Sequence, residues 1–226
     1  MVYCMVTSVH LADVKPWQAL RLLRTRLAAA DVPGLRHATT VAAAPLGPGA
    51  LPAPRPGRAG LIAVWEDDAA LDGFLTSHPV AEALEGGYRV RLEPVRVIGV
   101  WPEFGDFQTE ITGQSANVDG PVAVLTLSRL RLRRAAAFLS ASARAEADAL
   151  ASPGLLLGTG LAHPPRFLST FSVWSDVASM RAYVQKQAGG HRAATGQHAA
   201  NPFHSQSAFI RFRPYDQSCA WHTPGT

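Results

Sequence analysis

The chain has 226 residues, a formal net charge of +4 and 47% hydrophobic residues. That length and apolar content suffice to bury a core as one large domain or two small ones. The basic residues are scattered, with no run of lysine and arginine interleaved with aromatic residues, so we expect no nucleic-acid partner. Two cysteines, Cys4 and Cys219, are too few for a disulfide framework or a structural zinc site.

Neither a secretory leader nor a transmembrane segment is expected. The N-terminal residues reach Asp13 and Lys15 too soon for a signal-peptide core. No apolar run is long enough to cross a bilayer. We therefore expect a cytoplasmic protein with no integral membrane segment.

The first half alternates strand and helix patterns. Leu20, Leu23 and Leu27 recur at helical spacing, and the Pro-Gly pair at 33–34 ends that pattern. In chain order we predict a strand over 5–11, a helix over 19–30, strands over 35–43 and 60–65, a helix over 67–75 and a strand over 95–101. Residues 45–58 are rich in proline and glycine, which predicts a surface loop that either covers a pocket or is a tolerated insertion.

The second half repeats this order. We predict a strand over 122–130, a helix over 134–150, strands over 155–161 and 167–174, a helix over 177–186 and a strand over 208–213. Each half is β-α-β-β-α-β, the ferredoxin-like arrangement, which leaves one face of an antiparallel sheet uncovered. We expect an α+β fold in which the bare faces pack sheet to sheet as an intrachain dimeric α+β barrel. The N-terminal repeat is assigned to 1–105, a linker to 106–120 and the C-terminal repeat to 121–226.

Two short motifs occur once in each half. The sequence VWEDDAAL at 64–71 recurs as VWSDVASM at 173–180, and PGL at 33–35 recurs at 153–155. These pairs indicate a duplication. Reactive residues that occur in only one copy then indicate which half carries the functional site. The second half departs from its twin at GGHRAATGQHAANPFH, residues 189–204.

His191 is the first candidate functional residue. It follows two glycines and shares a face with Thr195 and His198 if this segment is helical. An imidazole here can ligate a metal or haem iron, act as a general base, or hydrogen-bond within a packed interface, and the residues alone leave these alternatives open. His198 and His204 are further candidates for a catalytic role.

Several motifs together are similar to those of a known enzyme family. They are FSVWSD at 171–176, MRAY at 180–183, GHRA at 190–193 and FIRFR at 209–213, with VWED at 64–67 and VIGVW at 97–101 in the first half. In this order they resemble the spheroidene monooxygenase family over most of the chain.

The resemblance implies a haem-containing barrel, similar to oxygenases that act on carotenoids. It implies heme b (iron protoporphyrin IX) as the cofactor and His191 as the proximal iron ligand and metal-binding residue. Arg192 and Arg211 are candidates to meet the haem propionates. Phe203 and Trp174 are further cofactor-binding candidates, although the position of Trp174 at a strand end is more typical of a core anchor.

The implied activity is that of a haem-dependent, monooxygenase-like oxidoreductase of secondary metabolism. Residues 201–206 lack the acidic residues of the family pattern, so a small, mainly apolar or nitrogenous metabolite other than a carotenoid is an open alternative. A cofactor-free antibiotic-biosynthesis-type monooxygenase or cyclase of the same barrel group, and a non-catalytic haem-binding barrel, are alternatives that fold cannot separate. Expected partners are a small-molecule substrate and an electron donor, for a monomer or homodimer.

Overall fold

The computed structural model describes residues 5–47, 55–102, 119–186 and 204–218. The first half contains β1 (Val6–Asp13), α1 (Pro16–Arg24), β2 (Leu35–Pro45), β3 (Arg58–Trp65), α2 (Asp68–Ser77), α3 (Pro79–Ala83) and β4 (Tyr88–Gly99). The second half contains β5 (Val122–Leu130), α4 (Ala135–Leu150), β6 (Leu155–His163), β7 (Phe167–Trp174) and β8 (His204–Ser218). Residues 177–186 form a further helix, α5.

The eight strands form one closed antiparallel barrel in the order β1-β3-β2-β6-β7-β5-β8-β4. Each half supplies four neighbouring strands in the ferredoxin-like order, β4-β1-β3-β2 and β8-β5-β7-β6. The halves join where β2 pairs with β6 and β4 pairs with β8. The predicted α+β barrel of two ferredoxin-like repeats is therefore confirmed, and its two bare faces meet as the inner wall of one continuous sheet.

The barrel interior is the main hydrophobic core. Successive side chains of a strand lie on opposite faces, so alternate residues point inward. Val9 and Leu11 of β1, Phe171 of β7, and Ile210 and Phe212 of β8 are all at most 1% exposed and belong to this core. The other face of each strand is left for the helices.

The repeated Pro-Gly-Leu motif makes the same contact in both halves. Gly34 (φ 70°) and Gly154 (φ 91°) adopt the left-handed backbone conformation that favours glycine. The Gly34 carbonyl accepts a hydrogen bond from Glu66 N at 2.8 Å, and the Gly154 carbonyl accepts one from Ser175 N at 2.7 Å. Glu66 and Ser175 directly follow the two repeated tryptophans. In each half the Pro-Gly-Leu motif therefore contacts the tryptophan motif through the same hydrogen bond.

The first helix is shorter than predicted at its C-terminal end. α1 ends at Arg24 rather than at residue 30, because Thr25 has an extended backbone and its hydroxyl donates to the Arg21 carbonyl at 2.9 Å. The leucine spacing that predicted the helix extends to Leu27, but the chain leaves the helical conformation at Thr25.

The strands β4 and β8 are longer than predicted. β4 begins at Tyr88, where apolar buried residues alternate with arginines whose polar ends lie on the outer face. β8 spans His204–Ser218 for a similar reason. Residues 48–54 of the predicted loop and 103–118, which contain most of the predicted linker, lie outside the described residues, so the predicted domain bounds stay predictions.

Candidate functional site

A cavity of about 530 Å³ lies against the outer face of the C-terminal sheet, under helix α4. We call it the α4 cavity. Phe138, Ser142 and Glu146, spaced one helical turn apart, present one face of α4 to it. Its remaining walls come mainly from β2, β5, β6 and β7 and the start of β8, and include Ala42, Ala44, Arg55, Pro56, Thr126, Ser128, Gly160, Ala162, Leu168, Thr170 and His204.

Small residues on three adjacent strands open the floor of this cavity. Thr126 of β5 pairs with Thr170 of β7, which pairs with Gly160 of β6, forming one row across the sheet. The first half has an equivalent row. β1 pairs with β3, which ends at Trp65, in the same register as β5 pairs with β7, which ends at Trp174. That row consists of His10, Leu61 and Thr40.

The larger residues of the first-half row are buried under the helices. His10, Leu61 and Thr40 are all at most 4% exposed, and the His10 ring lies edge-on to Phe74 of α2 with 6.4 Å between centroids. His10 Nε2 lies 3.0 Å from the Ser8 hydroxyl, and burial, aided by nearby arginines, lowers the pKa of His10 to about 3. The imidazole of His10 is therefore neutral. The equivalent row in the C-terminal half has smaller residues and borders the α4 cavity instead of being filled.

His204 is the sequence-predicted residue that the structure brings to the cavity. It begins β8 and lines the cavity wall. Its ring lies edge-on to Phe138 of α4 with 5.0 Å between centroids. An imidazole held in this way can bind or relay a proton at the cavity edge.

Neither Trp174 nor Arg211 is among the residues that line the α4 cavity. Trp174 is 2% exposed, donates its indole N–H to the Ser172 hydroxyl at 3.0 Å and stacks on Tyr183. It lines a smaller cavity of about 130 Å³ that shares Glu146 and other residues with the α4 cavity. Arg211 is buried in β8, and desolvation together with nearby arginines lowers its pKa.

The remaining predicted site residues fall in one segment. His191, Arg192, His198 and Phe203 all lie within 187–203, outside the described residues. Their roles as iron ligand, propionate partner, catalytic base and cofactor contact therefore stay predictions.

Glu146 is a cavity residue that the sequence analysis missed. Its carboxylate accepts a hydrogen bond from Gly47 N at 3.0 Å. Burial raises the pKa of Glu146, and the Gly47 hydrogen bond partly opposes that shift. The signal available in the sequence was its spacing from Phe138 and Ser142 on one face of an alanine-rich helix. Glu146 gives the cavity a carboxyl that can hold a proton.

Comparison with known proteins gives a clear relationship. No family model matches the chain. The spheroidene monooxygenase of Rubrivivax gelatinosus is 33% identical over 226 residues, covering 96% of this chain and 84% of that protein. The spheroidene monooxygenase of Rhodobacter capsulatus is 24% identical over 212 residues, covering 91% and 86%. The chain belongs to the spheroidene monooxygenase family.

Membership of the spheroidene monooxygenase family makes the chain an oxidoreductase with monooxygenase-like activity. Among solved structures, the aldoxime dehydratase OxdRE in complex with butyraldoxime superposes with a TM-score of 0.59 at 11% identity, covering 98% of this chain and 84% of that one. That likeness supports the fold. None of the helices within the described ranges has the length and apolar character needed to cross a membrane.

Proposed function

We propose that the chain is a haem-dependent monooxygenase acting on a mainly apolar substrate, with His191 as the iron ligand. The observation that carries this proposal is the α4 cavity of about 530 Å³. Cofactor and substrate sites generally occupy cavities of roughly 300–1,000 Å³ with apolar walls and a few polar groups. The cavity lies in the half of the chain that also contains the GHRA motif at 190–193.

The described cavity residues fit a haem group. A haem bound through histidine needs apolar walls, one imidazole as iron ligand, which we assign to His191, and cations near its two carboxylates. Ala162, Leu168 and Phe138 provide apolar walls, His204 provides an imidazole and Arg55 provides a guanidinium. Within the described residues no group of three or more His, Cys, Asp or Glu is arranged to hold a metal ion. A haem iron is held by its porphyrin and needs only one or two protein ligands.

When bound, haem would supply a redox-active iron for the activation of dioxygen. In a monooxygenase reaction one oxygen atom enters the substrate and the other leaves as water, which takes two electrons from a donor and two protons. We therefore include an electron-donating partner in the proposal. The chain's own residues would exclude water through the apolar wall and hold a proton at the Glu146 carboxyl, whose pKa burial raises.

The names of the relatives make spheroidene the first substrate to test. A smaller apolar or nitrogenous metabolite is the second, because residues 201–206 carry no acidic side chain. The two halves of one chain close the barrel by themselves, so a monomer is sufficient to form the fold. A homodimer is compatible with the same site.

The absorption spectrum tests the cofactor and its ligand. We expect the wild type, purified from cells supplied with a haem precursor, to show a strong Soret band. His191→Ala should lose this band. His198→Ala, a change of the same kind seven positions along the same segment, is the matched control and should keep it, as should His204→Ala. A Soret band of wild-type intensity in His191→Ala would contradict the assigned ligand.

Turnover separates the enzyme from the alternatives. With spheroidene, a reductant and oxygen, the haem-loaded wild type should consume substrate and form an oxygenated product. A haem-loaded protein without turnover on any apolar substrate favours a haem-binding barrel. A colourless protein that consumes oxygen only when substrate is added favours a cofactor-free monooxygenase, with a histidine such as His198 as base.

A further inference from the structure

A second cavity, of about 430 Å³, lies in the N-terminal half of the chain. It is bordered by the end of α2, by α3 and by the turn that leads into β4. Its walls include two imidazoles, those of His10 and His78, and the guanidinium of Arg89. We call it the His10 cavity. It shares no described wall residue with the α4 cavity, so the two are separate sites.

His10 and Arg89 are neighbours at the wall of this cavity. His10 of β1 stands directly opposite Arg89 of β4 in the antiparallel pairing. Directly opposed residues project from the same face of a sheet with their Cβ atoms about 4.5–5.5 Å apart. His10 is 3% exposed, whereas Arg89 is half-buried, so the imidazole marks the inner end of the cavity and the guanidinium lies next to it.

Hydrogen bonds in the core determine which nitrogen of His10 carries the proton. The Ser8 hydroxyl accepts a hydrogen bond from Trp65 Nε1–H at 2.9 Å and lies 3.0 Å from His10 Nε2. Ser8 is fully buried, so its own proton needs an acceptor, and His10 Nε2 is the acceptor that it contacts. The neutral imidazole therefore carries its proton on Nδ1. Among the described residues Nδ1 has no hydrogen-bond partner, so this N–H is available to a ligand.

His78 provides a second N–H of the same kind. Its Nδ1 accepts a hydrogen bond from Val80 N at 3.1 Å at the start of α3, so the proton of the neutral ring lies on Nε2. Burial lowers the pKa of His78, which favours this neutral form. Phe74 stacks on the His78 ring with 4.8 Å between centroids and meets the His10 ring edge-on. One phenyl ring therefore positions both imidazoles.

The charges at the cavity are arranged from the inside outward. Arg89 forms no ion pair with any described residue, in contrast to Arg91 on the same strand, which contacts three aspartates. Glu82 and Glu85 also line the cavity, but both are exposed and therefore lie on its solvent side. The inner part thus offers N–H donors and a positive charge, and the outer part offers carboxylates.

The barrel itself does not require this pair of donors. In the C-terminal half, β5 pairs with β8 so that Thr126 stands opposite Phe209. These are the positions equivalent to His10 and Arg89 in the first half. Since the same barrel geometry forms with a hydroxyl and a phenyl ring at these positions, the imidazole and the guanidinium are a specific feature of the N-terminal copy.

We propose that the His10 cavity binds a small monocarboxylate, with the carboxylate held by Arg89 and the N–H of His10. Guanidinium groups bind carboxylates through paired, charge-assisted hydrogen bonds, and a buried N–H adds a further donor. The remainder of the ligand would contact the apolar part of the wall, which is formed by Leu75, Ala81 and Leu84. This inference goes beyond the proposed function and does not require haem.

Equilibrium dialysis with labelled hexanoate tests the site. We expect saturable binding to the wild type, and hexanamide, which has the same length and no charge, should bind about tenfold more weakly or less. Arg89→Gln should weaken hexanoate binding by about tenfold or more, because the charge is lost. Arg96→Gln, at an exposed position of the same strand outside the cavity wall, is the matched control and should bind as the wild type does. Wild-type affinity in Arg89→Gln, or no saturable binding to the wild type, overturns the proposal.

A dicarboxylate of the same length tests the selection for one charge. The second carboxylate of adipate would approach Glu82 and Glu85, and like charges about 4 Å apart repel even in water. We expect the wild type to bind adipate about fivefold more weakly than hexanoate. The double variant Glu82→Gln/Glu85→Gln should lose most of this difference, and both positions are exposed, so the fold should be kept. Adipate binding as tight as hexanoate binding in the wild type contradicts the monocarboxylate class.

A variant of the C-terminal half keeps this test independent of the proposed haem site. His191→Ala should bind hexanoate with wild-type affinity, because the His10 cavity is built from N-terminal elements and the C-terminal end of β8. The same dialysis on protein without haem should give the same affinity. Hexanoate binding that depends on Arg89 therefore supports the site even if the protein binds no haem. Hexanoate binding that is lost in His191→Ala and kept in Arg89→Gln places the ligand elsewhere and overturns the proposal.

Discussion

The backbone N–H of Gly47 donates a hydrogen bond to the Glu146 carboxylate across 3.0 Å, joining the segment after β2 to helix α4. The same segment leads into the proline-rich loop, whose described end contributes Arg55 and Pro56 to the α4 cavity. One partly buried carboxyl thus connects the helix and the start of the loop at the cavity. Its ionisation should be visible in the stability of the whole chain.

Glu146→Gln should change how stability depends on pH. Burial raises the pKa of Glu146 in the folded chain, so protonated Glu146 stabilises the fold at low pH, and this contribution is lost as pH rises through the folded pKa. Glutamine keeps an oxygen that can accept the Gly47 hydrogen bond and cannot ionise. We expect Glu146→Gln to have a higher Tm than the wild type near neutral pH, with the difference shrinking toward about pH 4.

The control for this prediction is Glu85→Gln, which changes an exposed glutamate of the first half. Its Tm should follow the wild-type curve throughout the pH range, measured by circular dichroism. A Glu146→Gln curve parallel to the wild type at every pH would mean that the Glu146 carboxyl titrates alike in folded and unfolded chains.

Thr170→Leu should close the α4 cavity by restoring the side chain of its twin, Leu61. Leucine at this row position would bury additional apolar surface, so we expect unfolding to cost up to about 1 kcal/mol more. Occupying the cavity floor should also weaken binding of haem or substrate by about tenfold or more. Thr76→Leu, at an exposed position of α2, is the control, and titration of ligand against both variants is the measurement. Wild-type affinity in a stable Thr170→Leu protein would remove the α4 cavity from the proposed site.

The elements with strong periodicity could be predicted from sequence. β5 and β7 begin and end at the predicted residues, since their apolar runs end at Leu130 and Trp174. α3, of five residues, is too short to show a helical period and was missed. The sequence did not predict the beginning of β4, because charged residues alternate with its apolar residues. In the structure Tyr88 and Leu92 face the core and the charged residues between them lie on the other face.

The candidate site was less predictable because it depends on neighbours across strands. Gly160, Thr170 and Thr126 are unremarkable in the sequence, and only the register of three strands places them in one row. The pairing of Arg96 with Arg211 is hidden for the same reason, since these residues lie more than a hundred positions apart in sequence and meet only through the pairing of β4 with β8. Sequence motifs identify residues within one element, whereas the cavity is assembled from several.

Phe171→Ala should severely destabilise the barrel. Phe171 is fully buried and contributes to the core shared by both halves. Removing its ring leaves a cavity, and we expect the free energy of unfolding to fall by about 3–5 kcal/mol. Leu156→Ala, at a position 55% exposed, should change it by about 0.5 kcal/mol or less. Urea unfolding measures both, and a loss confined to one half of the chain would contradict a single shared core.

Gly34→Ala tests whether the repeated Pro-Gly-Leu motif is required by backbone conformation. A Cβ at Gly34 would lie 2.3 Å from the Cβ of Ala70, and its φ of 70° is unfavourable for alanine. We expect a loss of about 1–3 kcal/mol. The equivalent Gly154→Ala should cost a similar amount, because its Cβ would lie 2.6 Å from the Ser179 hydroxyl oxygen. Gly73→Ala, within α2 and with open space around its Cβ, is the control and should stabilise the chain by about 0.5–1 kcal/mol. Equal effects at Gly34 and Gly73 would show that the turn tolerates a side chain, and the recurrence of glycine in both copies would then need an explanation other than this turn.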